Sequence, residues 1–409
     1  MLSVMSLYQI PLDDLTLEHL SALVDNKVSE STTIEYKRDT YGSSDSDKKE
    51  LIKDVSALAN TRGGILFIGI DETDGCADAL SPFNGNADIE IQRLNSILAS
   101  SIEPMITGLE IRAIGTDQDN NIIIIKVPKS WSAPHRTNFK GTKRFYRRNT
   151  SGTYEPDVME LQKMFNANLE QENQFKRLRQ QHVDAVSVGE APVNMPEGKS
   201  GYLLLQIIPA QSLDTLEVLD LNAHDLRGTF RPLNGSGWDH RYNIDGFITF
   251  RTRFHAYTQL YRNGVIEAVV SSISRNAREN STRKIIAGSS ISVDILGGTA
   301  RYVKLLQDMN VQPPIRIYVS LLNVKNCRFA TYHDRWGMDE DEVPNIGKTD
   351  VLLPPVDIMK LGNKFEIYES LRPIMDALWN ADNSDRCDYY DENGKWTGHD
   401  QVRELGRQA

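Results

Sequence analysis

Cysteine is scarce: Cys76, Cys327 and Cys387 are the only three in 409 residues, and they lie far apart. That spacing excludes a disulfide framework and a cysteine-based zinc site, and it fits a reducing cytoplasm. Long apolar runs are also missing. Ile122 to Ile125 is strand-sized, far short of the roughly 20 residues a membrane helix needs. The start, MLSVMSLYQIPLDDL, has neither a basic opening nor an apolar core, so export is not expected and no membrane partner is implied. Positive charge is not in excess: 46 Lys and Arg stand against 56 Asp and Glu, a net charge of −10. A sequence-blind nucleic-acid coat is thereby disfavoured, because counterion release needs cations presented together. A local basic patch on an acidic body stays open. No Gly-x-Ser-x-Gly elbow, no Gly-x-Gly-x-x-Gly after a strand and no internal repeat occurs.

What is present is an ordinary globular mix, 40% hydrophobic and 25% charged, which rules out wholesale disorder. At roughly 150 residues per domain the length implies two or three domains. Residues 14–25 read as an amphipathic helix, capped by Asp14 or Thr16. A short strand follows in SESTTIEYKRD, then a polar loop at 42–47 and a second amphipathic helix at 48–60 closed by Gly63-Gly64. ILFIGI (65–70) is continuously apolar, which suggests a strand buried on both faces. A helix at 88–100, strands near 108–114 and 121–127, a basic hairpin-like stretch at 131–148 and a helix at 155–168 complete residues 1–170. Residues 171–200 read as a linker, with a charged helical piece before a Pro/Gly-rich stretch. A second domain spans 201–380, with strands at 246–253, 256–261, 264–271 and 315–322, and helices at 291–309 and 365–380. Asn263-Gly264 is a hairpin signal. An acidic tail, 381–409, ends the chain. The fold class is α/β (α+β), a mixed sheet with helices followed by a second α/β domain of unknown type.

The chemistry concentrates in Glu30-Ser31-Thr32-Thr33-Ile34-Glu35-Tyr36-Lys37. Side chains two apart on a strand share a face, so Glu35 and Lys37 point one way and Ile34 and Tyr36 the other. A carboxylate beside an ammonium can hold a divalent cation and neutralise a developing phosphorane charge. Glu30 joins them only if the chain turns between Ser31 and Thr33. Asp71-Glu72 ends the apolar strand, where a parallel-type sheet places ligands. Glu30, Glu35, Asp71 and Glu72 could then ligate Mg²⁺ or Mn²⁺. The competing reading is a solvated Glu35–Lys37 pair worth under about 1 kcal/mol.

ESTTIEYK, SALANTRGG and LFIGIDE, in that order over about residues 28–75, resemble the Schlafen family, specifically its AlbA-like (AlbA_2) domain in prokaryotic Schlafen-like proteins. FYRRNTSGTYEPDVMELQKMF extends a weaker likeness to about residue 165. The resemblance implies cleavage of transfer or ribosomal RNA by three carboxylates and a divalent metal. Two of these match Glu30 and Glu35. The third falls on Glu72, or on the adjacent Asp71, and the sequence leaves that choice open. The family's zinc site is not visible, and one lobe is found where animal members have two, so a homodimer could rebuild the clamp. Other bacterial proteins with this domain are DNA-binding or ATP-binding regulators.

WSAPHRTNFKGTKRFYRR (131–148) carries Arg136, Lys140, Lys143, Arg144, Arg147 and Arg148 with no acid, and Trp131, His135, Phe139, Phe145 and Tyr146 are interleaved. Cations there could track phosphates and Tyr146 could stack on a base; alternatively the hairpin is solvated and its aromatics are core. EGKSG (197–201) lacks the first glycine of a phosphate loop, Val193 standing in its place. His333-Asp334 and the acids 339–342 read as solvated loop. The sum is a cytoplasmic, bacterial-type, metal-dependent RNA endonuclease acting on tRNA-like RNA. A toxin or phage-defence role fits, with a protein or ligand trigger received through residues 201–380. The rivals are a nucleic-acid-binding regulator without turnover and a nucleotide-binding signalling protein.

Overall fold

The computed structural model describes residues 10, 12–116, 120–130, 132–193, 200–213, 218–222, 224–234, 237–251, 256–276, 284–331 and 345–398. Trp131, Gly198-Lys199, His333-Asp334 and the acids 339–342 fall outside these residues. The chain divides into two units, residues 1–171 and 172–409.

The first unit is built on one mixed sheet. Helix α1 (Leu17–Asp25) starts at Thr16, whose N–H donates to His19 Nδ1 at 3.1 Å. Strand β1 (Ile34–Lys37) leads through a polar loop to α2 (Asp45–Ala59). Helix α2 begins three residues before the expected start because Ser44 caps it: the Ser44 hydroxyl accepts from Asp47 N at 3.2 Å and the Asp47 carboxylate accepts from Ser44 N at 3.3 Å. Strand β2 (Gly64–Ile68) returns parallel to β1, with Glu35 opposite Leu66 and Lys37 opposite Ile68. The apolar run then breaks at Gly69, which has φ +102°. Beyond it β3 (Ile70–Thr73) turns through Asp74-Gly75 into β4 (Cys76–Leu80), a separate hairpin. After β5 (Phe83–Asn84) and α3 (Ala87–Ser101), β6 (Ile102–Glu103) precedes β7 (Glu110–Gly115) and β8 (Asn120–Val127). Strand β8 runs antiparallel to β2, β5 and β7.

Both sheet faces are covered, which is why β2 and β8 read as unbroken apolar runs. On one face Ile34, Tyr36, Ile65, Phe67, Ile122 and Ile124 pack with Leu20 and Leu23 of α1. On the other Leu66, Ile68, Ile123 and Ile125 pack with Leu51, Ile52, Val55 and Leu58 of α2 and Leu94 and Leu98 of α3. By register, Glu35 and Lys37 lie on the α2 face.

The basic stretch folds as two hairpins rather than one. Strands β9 (Arg136–Phe139) and β10 (Thr142–Phe145) turn at Lys140-Gly141, and β11 (Arg147–Asn149) pairs with β12 (Gly152–Tyr154). Helix α4 (Val158–Val188) replaces both the expected helix at 155–168 and most of the expected linker at 171–200. No Gly or Pro interrupts residues 158–188, and Gln, Glu, Lys and Arg are good helix formers. Gly189, at φ +81°, ends it.

The second unit is built on a large antiparallel sheet, beside a three-stranded one in which Lys284–Ala287 pairs parallel with Cys327–Ala330. Strand Tyr202–Pro209 lies between Ile266–Ser271 and Ile315–Leu322, with Ala256–Tyr261, Gly246–Arg251 and Asp239–Tyr242 outward in turn. Helix Gly288–Asp308 packs in its largest apolar cluster. The single helix expected at 365–380 is two, Lys364–Ser370 and Arg372–Trp379, divided where Pro373 removes an N–H. The segment from 381 to 398, expected as an acidic tail, is folded on this unit: Cys387, Tyr389 and Tyr390 are buried and Trp396 packs edge-on to Tyr389 and Tyr390. Its aromatics decide its place, not its acids.

Candidate functional site

Strand parity carries Glu35 and Lys37 under α2, and there they meet more charge than the sequence motif contains. Lys37 Nζ lies 2.8 Å from Glu35 Oε1, 3.5 Å from Glu50 Oε1 and 3.7 Å from Asp54 Oδ2. Arg148 Nη1 takes the other Glu35 oxygen at 2.5 Å. The side chains of Glu35 and Arg148 are 10% and 4% exposed, so this is a buried pair, not a solvated one. Asp54 is 3% exposed in its side chain and accepts from Tyr41 Oη at 2.8 Å. Burial pushes the Asp54 carboxyl up to about 6, against the pull of Lys37, with Glu35 adding to the rise. Burial works against the Lys37 ammonium, but Asp54, Glu35 and Glu50 outweigh it and hold its pKa above the ordinary lysine value.

Glu30 is brought in by the turn its position demanded. Ser31 N donates to Ile34 O at 3.1 Å, Thr33 N to Ser31 Oγ at 3.1 Å, and Glu30 N to Gly75 O at 2.7 Å. The Glu30 carboxylate accepts from Tyr36 N at 2.9 Å. Half-burial raises its pKa, the Tyr36 N–H lowers it, the Glu35 and Glu72 charges raise it, and Arg148 lowers it. The first and third acid segments therefore lie in one another's field. Glu72 and Asp71 are turned to local work: Glu72 Oε2 accepts from Gly75 N at 2.7 Å, Asp71 Oδ1 accepts from Glu72 N at 3.1 Å, and Asp71 Oδ2 lies 3.6 Å from Arg38 Nη1.

Carboxylate oxygens are the donors Mg²⁺ or Mn²⁺ prefers. As held here, however, Glu30, Glu35, Asp71 and Glu72 do not form such an ion's ligand set. Glu35 has a cation on each oxygen, and no group of three His, Cys, Asp or Glu side chains among the described residues is placed to hold a metal.

The expected nucleic-acid residues divide by exposure. Arg136 pairs with Glu103 at 2.6 Å, Lys140 with Asp45, Arg144 with Glu155, and Arg147 with Glu160 at 3.3 Å. Lys143 is exposed on β10. Arg148 is buried against Glu35, out of reach of a phosphate in this arrangement. Tyr146 is half-buried; burial and Glu155 raise its phenol, with Arg144 opposing. His135 is buried with Nδ1 at 2.6 Å from Pro104 O, Phe139 packs on the α2 face, and Phe145 meets Phe165 edge-on. His135 is thus part of the core, Phe139 packs at its edge, and Phe145 is half-buried.

Sequence reasoning missed Asp54, Tyr41 and Glu50. Asp54 carried a signal: it sits inside the apolar stripe Leu51, Ile52, Val55, Leu58 of α2, where an acid must find a partner. The glycine pair is structural. Gly63 N donates to Leu58 O at 2.9 Å as the helix ends, and a Cβ on Gly64 would stand 2.4 Å from Thr33 O.

Residues 30–157 match the sequence profile of the family described as Schlafen, AlbA_2. Among the solved structures similar to part of the chain are the following two. A crystal structure of a Corynebacterium diphtheriae protein is 17% identical, with 35% of this chain and 27% of that one covered and a TM-score of 0.24. The solution structure of the N-terminal domain of a Nitrosomonas europaea protein described as related to the ATP-dependent DNA helicase RecG is 23% identical, with 34% and 92% covered and a TM-score of 0.25. The chain thus spans about a quarter of the Corynebacterium protein's length. No curated protein matches it. No helix among the described residues is long and apolar enough to cross a membrane.

Proposed function

We propose, proceeding from the Schlafen AlbA_2 domain that residues 30–157 form, that the first unit is an endonuclease acting on structured RNA such as tRNA. The observation that carries this reading is the Glu30 carboxyl, whose pKa is raised chiefly by its partial burial, with smaller additions from the charges of Glu35 and Glu72 against the Tyr36 N–H and Arg148. A partly buried carboxyl that feels acids from two separated segments is the kind of perturbed group that suggests a functional site. Lys37 would neutralise charge on a phosphate held beside Glu35. The exposed cations Arg136, Lys140, Lys143 and Arg144 would track the RNA backbone. The present partners of Arg136, Lys140 and Arg144 are the surface acids Glu103, Asp45 and Glu155, and pairs of that kind, worth under about 1 kcal/mol, give way to phosphate. Mg²⁺ or Mn²⁺ enters the proposal only as an ion taken up together with RNA, because Glu35 must first give up Arg148 or Lys37. A second copy of the chain would supply a second lobe, and residues 201–380 would receive a protein or ligand trigger. The cytoplasm is the compartment in which such an activity and three separated thiols fit.

One observation favours a second reading, RNA binding without turnover: both Glu35 oxygens are already held by cations. Incubation of the full chain with total RNA and Mn²⁺, with and without EDTA, beside Glu35→Ala, separates the two. Discrete cleavage products that vanish with EDTA and in the variant are the result expected of the nuclease. A gel shift without cleavage in wild type would overturn it in favour of the binding module.

A further inference from the structure

SALANTRGG contains two side chains that neither the helix end nor the glycine turn requires, Asn60 and Thr61. Asn60 is buried at the end of α2 and uses its whole amide on the basic segment. Its Nδ2 donates to His135 O at 2.8 Å and to Tyr146 O at 2.9 Å, and its Oδ1 accepts from His135 N at 2.6 Å. His135 and Tyr146 are the residues that flank the hairpin β9–β10, so one side chain ties both ends of that hairpin to α2. Thr61 takes the next step along the chain. Its Oγ1 donates to Ala57 O at 2.8 Å and accepts from Arg148 N at 2.9 Å.

We propose that Asn60 and Thr61 are positioning residues: they staple the base of the basic hairpin to the end of α2 and set the Arg148 guanidinium against Glu35. The chemistry of the two residues is specific to this task. Asparagine supplies two donors and an acceptor on one short plane. Aspartate would place an oxygen against the carbonyls of His135 and Tyr146, and glutamine would be one carbon too long. Threonine offers one hydroxyl that donates backward into its own helix while accepting from the incoming strand. The Gly63-Gly64 pair beside them is occupied with the helix end and the approach to Thr33, so this block fastens protein to protein and does not cradle a phosphate. The importance of the Glu35–Arg148 pair rests on the site proposed above, but the fastening itself does not.

The test is therefore made on the fastening, without RNA. Hydrogen exchange of the Arg148 side-chain Nε–H is followed by NMR in the full chain, with the backbone amide of Ile124 in β8 as an internal monitor of global opening. Thr61→Val keeps the shape and removes the acceptor; Thr61→Ser restores it; Asn60→Asp keeps the acceptor and removes both donors. Exchange at Arg148 is expected to accelerate about tenfold relative to Ile124 in Thr61→Val and Asn60→Asp, the worth of one or two lost hydrogen bonds. Thr61→Ser should stay at the wild-type ratio. Unchanged Arg148 exchange in Thr61→Val, or acceleration only in step with Ile124, would overturn the proposal. A wild type that binds but does not cut RNA would sink the nuclease reading and leave this outcome intact.

Discussion

Replacing Arg148 by Met tests whether the site is assembled around a buried charge pair. The side chain is 4% exposed and its partner Glu35 10% exposed, at 2.5 Å. Methionine fills a similar volume, so the change removes charge more than packing. Glu35 is then left desolvated with Lys37 alone. Breaking a buried pair by deleting one partner costs about 3–5 kcal/mol, whereas an exposed pair would cost under about 1 kcal/mol. Removing both charges, as Glu35→Gln with Arg148→Met, relieves the stranded carboxylate, so the double variant should recover at least about half of the loss. Urea unfolding of the two single variants and the double variant gives the cycle directly, provided the slope is unchanged. A loss below about 1 kcal/mol for Arg148→Met, or a double variant that is simply additive, would refute the buried-pair reasoning.

Three further outcomes follow from the same geometry. Asp54 has its carboxyl raised from 3.8 to about 6, so folding favours its protonated form and the contribution of this one group to stability should be lost as pH rises from about 4 to about 6, while carboxyls held low, such as Glu90 and Glu103, act in the opposite sense. A rise of that size corresponds to about 3 kcal/mol between the two protonation states; in thermal melts Asp54→Asn should gain on the wild type as pH rises through this window, and a difference that does not change with pH would contradict it. Gly64→Ala should destabilise by at least about 2 kcal/mol by thermal or urea melting, because φ is +156° and the added carbon would lie 2.4 Å from Thr33 O; a neutral substitution would mean that β1 and β2 are not paired as described. Gln206 is fully buried with neither amide atom bonded. Gln206→Leu should therefore raise the urea midpoint, by about 1 kcal/mol of stability, and a loss instead would show that the amide is bonded in solution.

Much of the first unit was legible because its signals are local. Period-two alternation placed Glu35 and Lys37 on one face and Tyr36 on the other, and unbroken apolar runs marked the covered strands. The hairpin β3–β4 also carried a signal, Asp74-Gly75, the kind of dipeptide that suits a tight hairpin turn. Its flanking strands are too short and polar to stand out. Helix α4 was divided in expectation because its residues alternate weakly between apolar and polar, yet nothing in 158–188 breaks a helix. The partners of Glu35 were not legible. Arg148 lies 113 positions away (148 − 35), and its pairing follows from Asn60 and Thr61 fixing a strand, an arrangement that no local pattern encodes. Residues 381–398 illustrate the same limit in the second unit, where five acids set the look of the sequence and three aromatics decide the packing.

The most direct test of the account is the titration of the Glu30 carboxyl, followed by carbon-13 NMR in the wild type, in Glu35→Gln and in Glu72→Gln. If the acids of the two segments share one place, Glu30 titrates above the ordinary glutamate value of 4.5 in the wild type, and each substitution moves it down. A Glu30 that titrates at the ordinary value and ignores both substitutions would contradict the convergence on which the endonuclease reading rests.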